Sequence, residues 1–138
     1  MTATPPIHAG AVFVGGLLGT GFRWGLDTLI PHNPDQWPLS TLIINVTGSF
    51  ILAYLVARTW HRPMPSWFQA GAGAGALGTF TTFSAVAAAL VTLTIAGEEL
   101  LAVLYLVATL VLGLGAAVAG VALGNHLHAS PVWPEEDE

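Results

Sequence analysis

The sequence predicts an all-α integral membrane protein with four transmembrane helices, the third broken at mid-membrane. Three observations predict it. Only 8% of the residues are charged while 54% are hydrophobic, with a mean hydropathy of +0.69. Four long apolar runs follow one another, and the third contains a cluster of glycine, threonine and serine. Soluble domains carry about a quarter charged residues. A chain of this composition has too little polar surface to remain dissolved, and a bilayer as solvent removes the conflict.

The runs cover residues 7–30, 39–59, 66–95 and 100–127. Each is long enough for a helix across a hydrocarbon core of about 30 Å, which takes ~20 residues. In lipid a spanning backbone must satisfy its own hydrogen bonds, so helices are expected. The runs lack the period-2 alternation of a β-barrel. Proline and glycine punctuate them: Pro5-Pro6 before the first, the polar loop Pro31–Pro38, the loop Trp60–Pro65, and the acidic turn Gly97-Glu98-Glu99. Residues 1–128 thus form a single membrane domain. Residues 129–138 form a tail ending in Glu135, Glu136, Asp137 and Glu138, expected to be solvated.

Trp24, Trp37, Trp60, Trp67 and Trp133 all fall near run ends or in loops, where an aromatic belt meets the headgroups. The pairs Gly15/Gly19, Gly21/Gly25, Gly71/Gly75 and Gly120/Gly124 have the spacing that lets helix backbones approach closely in lipid. They predict tight bundling and an oligomer, since four thin helices enclose little alone. Arg58 and Arg62 favour a cytoplasmic second loop, while Arg23 sits near the opposite end. Two basic residues against one is a weak bias, compatible with insertion in both orientations. No basic n-region precedes the first run, so no cleaved signal peptide is expected.

The chain has no cysteine, which excludes disulfides, thiolate nucleophiles and cysteine metal sites. No nucleic-acid partner is expected of a net charge of −5 with three basic residues. No Ser/His/Asp set or carboxylate pair lies deep in a span, so enzyme chemistry has no candidate. Arg23 and Asp27 stand i, i+4 near the end of the first span, base before acid, the weaker orientation for a helical pair. His8, His32, His61, His126 and His128 sit at span ends and are read as structural or solvated.

Polar groups inside a span are expensive and mark function. The segment Gly73–Ser84 contains Gly73, Gly75 and Gly78, then Thr79, Thr81, Thr82 and Ser84. A break between two half-helices is expected around Gly75–Thr79. Such a break frees carbonyls that can coordinate a cation such as Na⁺, and N–H groups and hydroxyls that can solvate an anion. A glycine-rich packing helix is the plain alternative. Gly73-x-Gly75-x-x-Gly78 also matches a dinucleotide fingerprint, rejected because no βαβ context surrounds it. Phe80 and Phe83 are spaced i, i+3; a phenyl ring carries a positive edge that touches an anion without trapping it. Asn45 in the second span offers two amide donors, though a bond between helices is the commoner role. Tyr105 and Thr109, one turn apart on the fourth span, form a short polar line. The set lacks a buried acid for a cation and a mid-depth base for a large anion. Neutral donors and phenyl edges suit a small anion whose hydration shell must be replaced without a trap.

These motifs resemble the fluoride channels called Fluc or CrcB. The resemblance runs over Gly15–Gly124: Gly15-Gly16-x-x-Gly19-x-x-x-Arg23-Trp24, then Asn45-x-x-Gly48-Ser49-Phe50, then Gly75-x-x-Gly78-Thr79-Phe80-Thr81-Thr82-Phe83-Ser84. It implies an antiparallel, dual-topology homodimer in the cell (inner or plasma) membrane, with two fluoride pores allowing passive efflux of cytoplasmic fluoride. It implies a structural Na⁺ at the dimer interface, held by the backbone carbonyls of Gly75 and Gly78. By position, Phe80 and Phe83 would be pore aromatics and Asn45 a pore amide. Thr81, Thr82 and Ser84 would add hydroxyls, and Tyr105 and Thr109 a polar track, with Arg23 near the path. The track continues one turn further in relatives, where this chain has Gly113. Two other readings stand beside it. A small dual-topology proton-coupled multidrug exporter needs a carboxylate in its first span, for which Asp27 is the only candidate. A membrane assembly subunit would carry no ion flux.

Overall fold

The computed structural model describes residues 6–61 and 63–126. Arg62, His128, Trp133 and the acidic tail lie outside the described residues, as do the side chains of Trp60 and His61. All regular elements among the described residues are helical. Helix α1 (Pro6–Leu29) opens on a proline at its first position, where a missing N–H costs nothing. Helix α2 (Leu39–His61) follows Pro38. The third run is composite: α3 (Ser66–Gln69), a π-helical segment (Ala70–Leu77), α4 (Gly78–Phe80) and, after two extended residues, α5 (Phe83–Ile95). A turn at Gly97, whose φ of +80° needs glycine, leads to α6 (Glu99–His126). Glu99 in the first turn and His126 in the last complement the dipole of α6.

The stretches Leu39–Thr59, Ser66–Ile95 and Glu99–His126 are long and apolar enough to cross a membrane. The fourth expected span, α1, has the length, with 24 residues. Its glycines and His8, Arg23 and Asp27 dilute its apolar character relative to the other three. The outer surface is apolar: Phe13, Leu17, Leu29, Ile95 and Leu114 are all strongly exposed. That is the reverse of a water-facing helix and what lipid requires.

The helices pair in two halves. Helix α1 lies along α3, the π segment and α4, while α2 lies along α6, with α5 against α6. Glycines set both contacts. A Cβ on Gly15 would collide with the Gly71 carbonyl and one on Gly19 with the Ala76 carbonyl; one on Gly75 would come within 2.7 Å of the Val12 carbonyl. In the other half, a Cβ on Gly120 would strike the Phe50 carbonyl and one on Gly124 would lie 2.7 Å from Ala57 Cβ. Three of the four predicted glycine pairs are therefore packing faces within the chain. Gly21 and Gly25 have nothing within 4 Å. Leu42, Val86, Leu93, Ala102 and Tyr105 form a small core where α2, α5 and α6 meet. Trp37 closes it, edge-on to Tyr105 at 5.7 Å, with its indole N–H on the Leu101 carbonyl at 3.0 Å.

The structure corrects the position of the break. Gly78 keeps right-handed helical angles (φ −65°, ψ −26°), and the extended residues are Thr81 (φ −76°, ψ 151°) and Thr82 (φ −152°, ψ 119°). The glycines do not open the helix because α1 packs on them; the alternating Gly-Ala run widens into a π-helix. Nor does an ion pair join Arg23 to Asp27 among the described residues.

These contacts predict opposite outcomes for one chemical change. Gly15→Ala and Gly19→Ala force backbone apart and should each cost about 1–3 kcal/mol, read as a lower temperature of aggregation for purified protein. Gly10→Ala, with open space around it, should be neutral or stabilise by up to ~1 kcal/mol.

Candidate functional site

At the break the third run loses its internal hydrogen bonds, and neighbouring side chains replace them. The Gly78 N–H is shared between the Gly73 carbonyl, at the wide spacing of the π segment, and the Gly75 carbonyl. Beyond it the Thr81 N–H returns to the Leu77 carbonyl at 3.0 Å, and the Thr81 hydroxyl bonds the same carbonyl at 2.9 Å. In a continuing helix the Thr82 N–H would bond the Gly78 carbonyl. It instead donates to Asn45 Oδ1 at 2.9 Å, and Asn45 Nδ2 donates to the Thr82 carbonyl at 3.0 Å. The amide side chain of α2 thus satisfies both backbone groups of the most extended residue. Asn45 keeps one amide N–H beyond this pair. The Thr82 hydroxyl then caps α5, accepting from the Ala85 N–H at 3.2 Å and pairing with Ser84 Oγ at 3.0 Å.

The same face of α2 brings further groups. Ser49 lies one turn beyond Asn45, and Gly48 between them admits the break. A Cβ on Gly48 would collide with the Thr81 methyl and lie 3.4 Å from the Phe80 ring. Asn45, Ser49, Thr82, Phe83, Val86 and Thr109 line a cavity of about 430 Å³ between α2, the break and α6. No charged side chain lines it. The hydroxyl oxygen of Thr109 is shielded from the cavity, beside Tyr105 on the preceding turn. Helix α5 starts at this cavity, so its partial positive end faces into the neutral donor set.

The predicted site residues divide into two groups. Asn45, Thr81, Thr82, Phe83 and Thr109 come together on the cavity, and Ser84 joins through its bond to Thr82. Phe83 is 76% exposed. Phe80 is half-buried and packs toward Gly48 rather than lining the cavity. Tyr105 is fully buried in the core against Trp37, with its hydroxyl 3.5 Å from the Pro38 carbonyl. Arg23 is half-buried on α1, away from the cavity walls. Gly75 is buried against α1, and its carbonyl accepts the Thr79 hydroxyl at 2.9 Å; Gly78 is exposed. Sequence reasoning missed Ser49 and Val86. The one-turn spacing from Asn45 signalled Ser49; nothing distinguished Val86 from other apolar residues. Asp27 and His32 line a separate cavity of about 390 Å³ beside the first loop.

The Asn45 clasp makes a directional prediction. Asn45→Asp replaces the donor to the Thr82 carbonyl with an oxygen and should destabilise the fold by about 1–3 kcal/mol. Ser49→Ala, which breaks no bond within the subunit, should leave thermal stability unchanged. Thermal unfolding of the purified variants separates the two.

The sequence matches the family model described as CrcB-like protein, Camphor Resistance (CrcB), over residues 10–121. Among curated proteins it is 35% identical over 124 residues to the fluoride-specific ion channel FluC 2 of Brucella abortus biovar 1 (strain 9-941), covering 87% of this chain and 96% of that one. It is 37% identical over 114 residues to FluC 2 of Geobacillus kaustophilus (strain HTA426), covering 81% and 88%. It is 40% identical over 120 residues to FluC 2 of Nocardia farcinica (strain IFM 10152), covering 83% and 80%. Every span-capable helix and the break fall largely or wholly inside the matched region, and the chain is a multi-pass membrane protein that belongs to the CrcB family.

Proposed function

We propose that the protein is a fluoride channel, not an enzyme, and that fluoride crosses through the Asn45 cavity. The observation that carries this reading is the neutral donor set at a break clasped by Asn45. Fluoride is small and strongly hydrated, so its water must be exchanged for N–H and O–H donors. The free N–H of Asn45, the hydroxyl of Ser49 and the start of α5 supply such donors. The positive edge of the Phe83 ring adds a weak contact. The absence of a basic side chain on the walls keeps the site from becoming a trap. A membrane potential negative inside drives the anion out of the cell, with ~2.3 kcal/mol per charge per 100 mV.

The reading includes α1 as a fourth crossing of the cell membrane, since its 24 residues reach about 36 Å at 1.5 Å per residue. It also includes a second, inverted copy. The weak basic bias of the sequence, Arg58 and Arg62 against Arg23, is compatible with insertion in both orientations, which such a pair needs. A structural Na⁺ at the centre of such a dimer fits Gly78, which is exposed and whose carbonyl has lost its helical partner to Asn45. It fits Gly75 poorly, because that carbonyl already takes the Thr79 hydroxyl and its residue is buried against α1. Asp27, on which an exporter would rest, is exposed at the end of α1 and outside the Asn45 cavity.

Purified protein in liposomes should release fluoride and retain chloride. Phe83→Ile and Ser49→Ala should each slow release by about tenfold, the effect of ~1.4 kcal/mol on the path. Liposomes that retain fluoride with wild-type protein inserted would sink the reading.

A further inference from the structure

The clasp from α2 holds one side of the break, and a second polar tie holds the other. Thr79 Oγ1 lies 3.1 Å from the Gly16 carbonyl of α1, 2.9 Å from the Gly75 carbonyl and 3.2 Å from the Ala76 carbonyl. One hydroxyl proton is therefore shared among three acceptors on two helices. Thr79 also stands where the hydrogen-bond spacing changes. The Gly78 N–H before it is shared between the Gly73 carbonyl, five residues back, and the Gly75 carbonyl, three back, and the Thr81 N–H after it reaches four back to Leu77. The crossing is closed around this hydroxyl, since a Cβ on Gly19 would collide with Thr79 Oγ1. Only a small residue on α1 leaves room for the tie.

We propose that Thr79 is a positioning residue for conduction: its hydroxyl pins the point where the π segment returns to α spacing, and so sets which way the break faces. The physical consequence is rotational. Converting one wide turn to an α turn shifts the chain by one residue, and one residue is about 100° of helix rotation. A rotation of that size carries Thr81, Thr82 and Phe83 off the cavity and out of register with Asn45. The tie to the Gly16 carbonyl opposes it by fixing the segment to α1. Thr79 does not line the Asn45 cavity, so its effect on the ion is exerted through the break.

This inference rests on the channel reading, and two readouts keep them apart. The first is fluoride efflux from liposomes for wild type, Thr79→Ser, Thr79→Val and Thr79→Ala. Wild type and Thr79→Ser should conduct alike, and Thr79→Val should fall by about tenfold, ~1.4 kcal/mol by conversion. Thr79→Ala supplies the comparison if the valine fails to pack. Equal efflux in Thr79→Val and wild type overturns the inference, as does equal loss in Thr79→Ser and Thr79→Val. Failure of wild type to conduct overturns the channel reading alone. The second readout needs no flux. The chain has no cysteine, so Ser84→Cys gives a single thiol beside the break. Its rate of modification by an aqueous thiol reagent should change severalfold when Thr79→Val is added and stay constant with Thr79→Ser. An unchanged rate with Thr79→Val overturns the pin whatever the ion.

Discussion

In hydrocarbon an unpaired backbone N–H or carbonyl costs several kcal/mol, so a helix can open inside a membrane only where something else supplies the missing partners. Thr82 is that case. Both its backbone groups are taken by a single amide side chain on another helix, Asn45. An amide matches a peptide unit in size and presents a donor and an acceptor side by side, which neither a hydroxyl nor a carboxylate does. The arrangement therefore constrains α2, the break and the start of α5 together. It also explains how a hydrogen bond of modest net value in a membrane, ~0.6 kcal/mol on average, can decide structure. The alternative at Thr82 is not a weaker bond but two unsatisfied groups.

The clasp is one of the contacts by which the two halves meet; α2 also touches α1, the π segment and α4. Within each half the backbones touch through glycine, which leaves no room for relative sliding. Between the halves, Gly48 admits Phe80 and Thr81, and Asn45 reaches Thr82. The cavity opens where the halves diverge, and its uncharged walls follow from the same geometry. The polar atoms there are the ones that a broken helix and its neighbours leave over. Charges stay at the ends of the helices, where water reaches them.

The helical runs were legible because length and apolarity act over about 20 residues and tolerate local exceptions. Asn45 was legible as a polar group in a span, yet composition could not say that its amide would face Thr82 backbone. The break was misplaced by a turn because glycine raises two expectations at once, flexibility and close packing. At Gly71 and Gly75 the second won: Ala11, Val12 and Gly15 of α1 press on them, and that contact depends on residues ~60 positions away. Tyr105 looked polar in sequence, but an edge-on contact with Trp37 draws its ring into the core. Thr109, one turn on, stays on the cavity wall, although its hydroxyl oxygen is shielded. Long-range packing separates two residues that periodicity treats alike.

A single chain leaves several parts of its surface uncovered. Phe83 is 76% exposed although it lines the cavity, Gly78 is exposed beside a carbonyl without its helical partner, and Gly21 and Gly25 form a packing face with nothing on it. Lipid tails can cover the phenyl ring and the glycines, but they offer no partner to a carbonyl or to donors at the cavity mouth. An inverted second copy can. In the proposed pair it would bring a second break to the first and give each cavity a protein wall in place of lipid. The proposed dimer would answer to the same rule that fixes Asn45: at membrane depth, every backbone group released by a break must find a partner in protein, water or an ion.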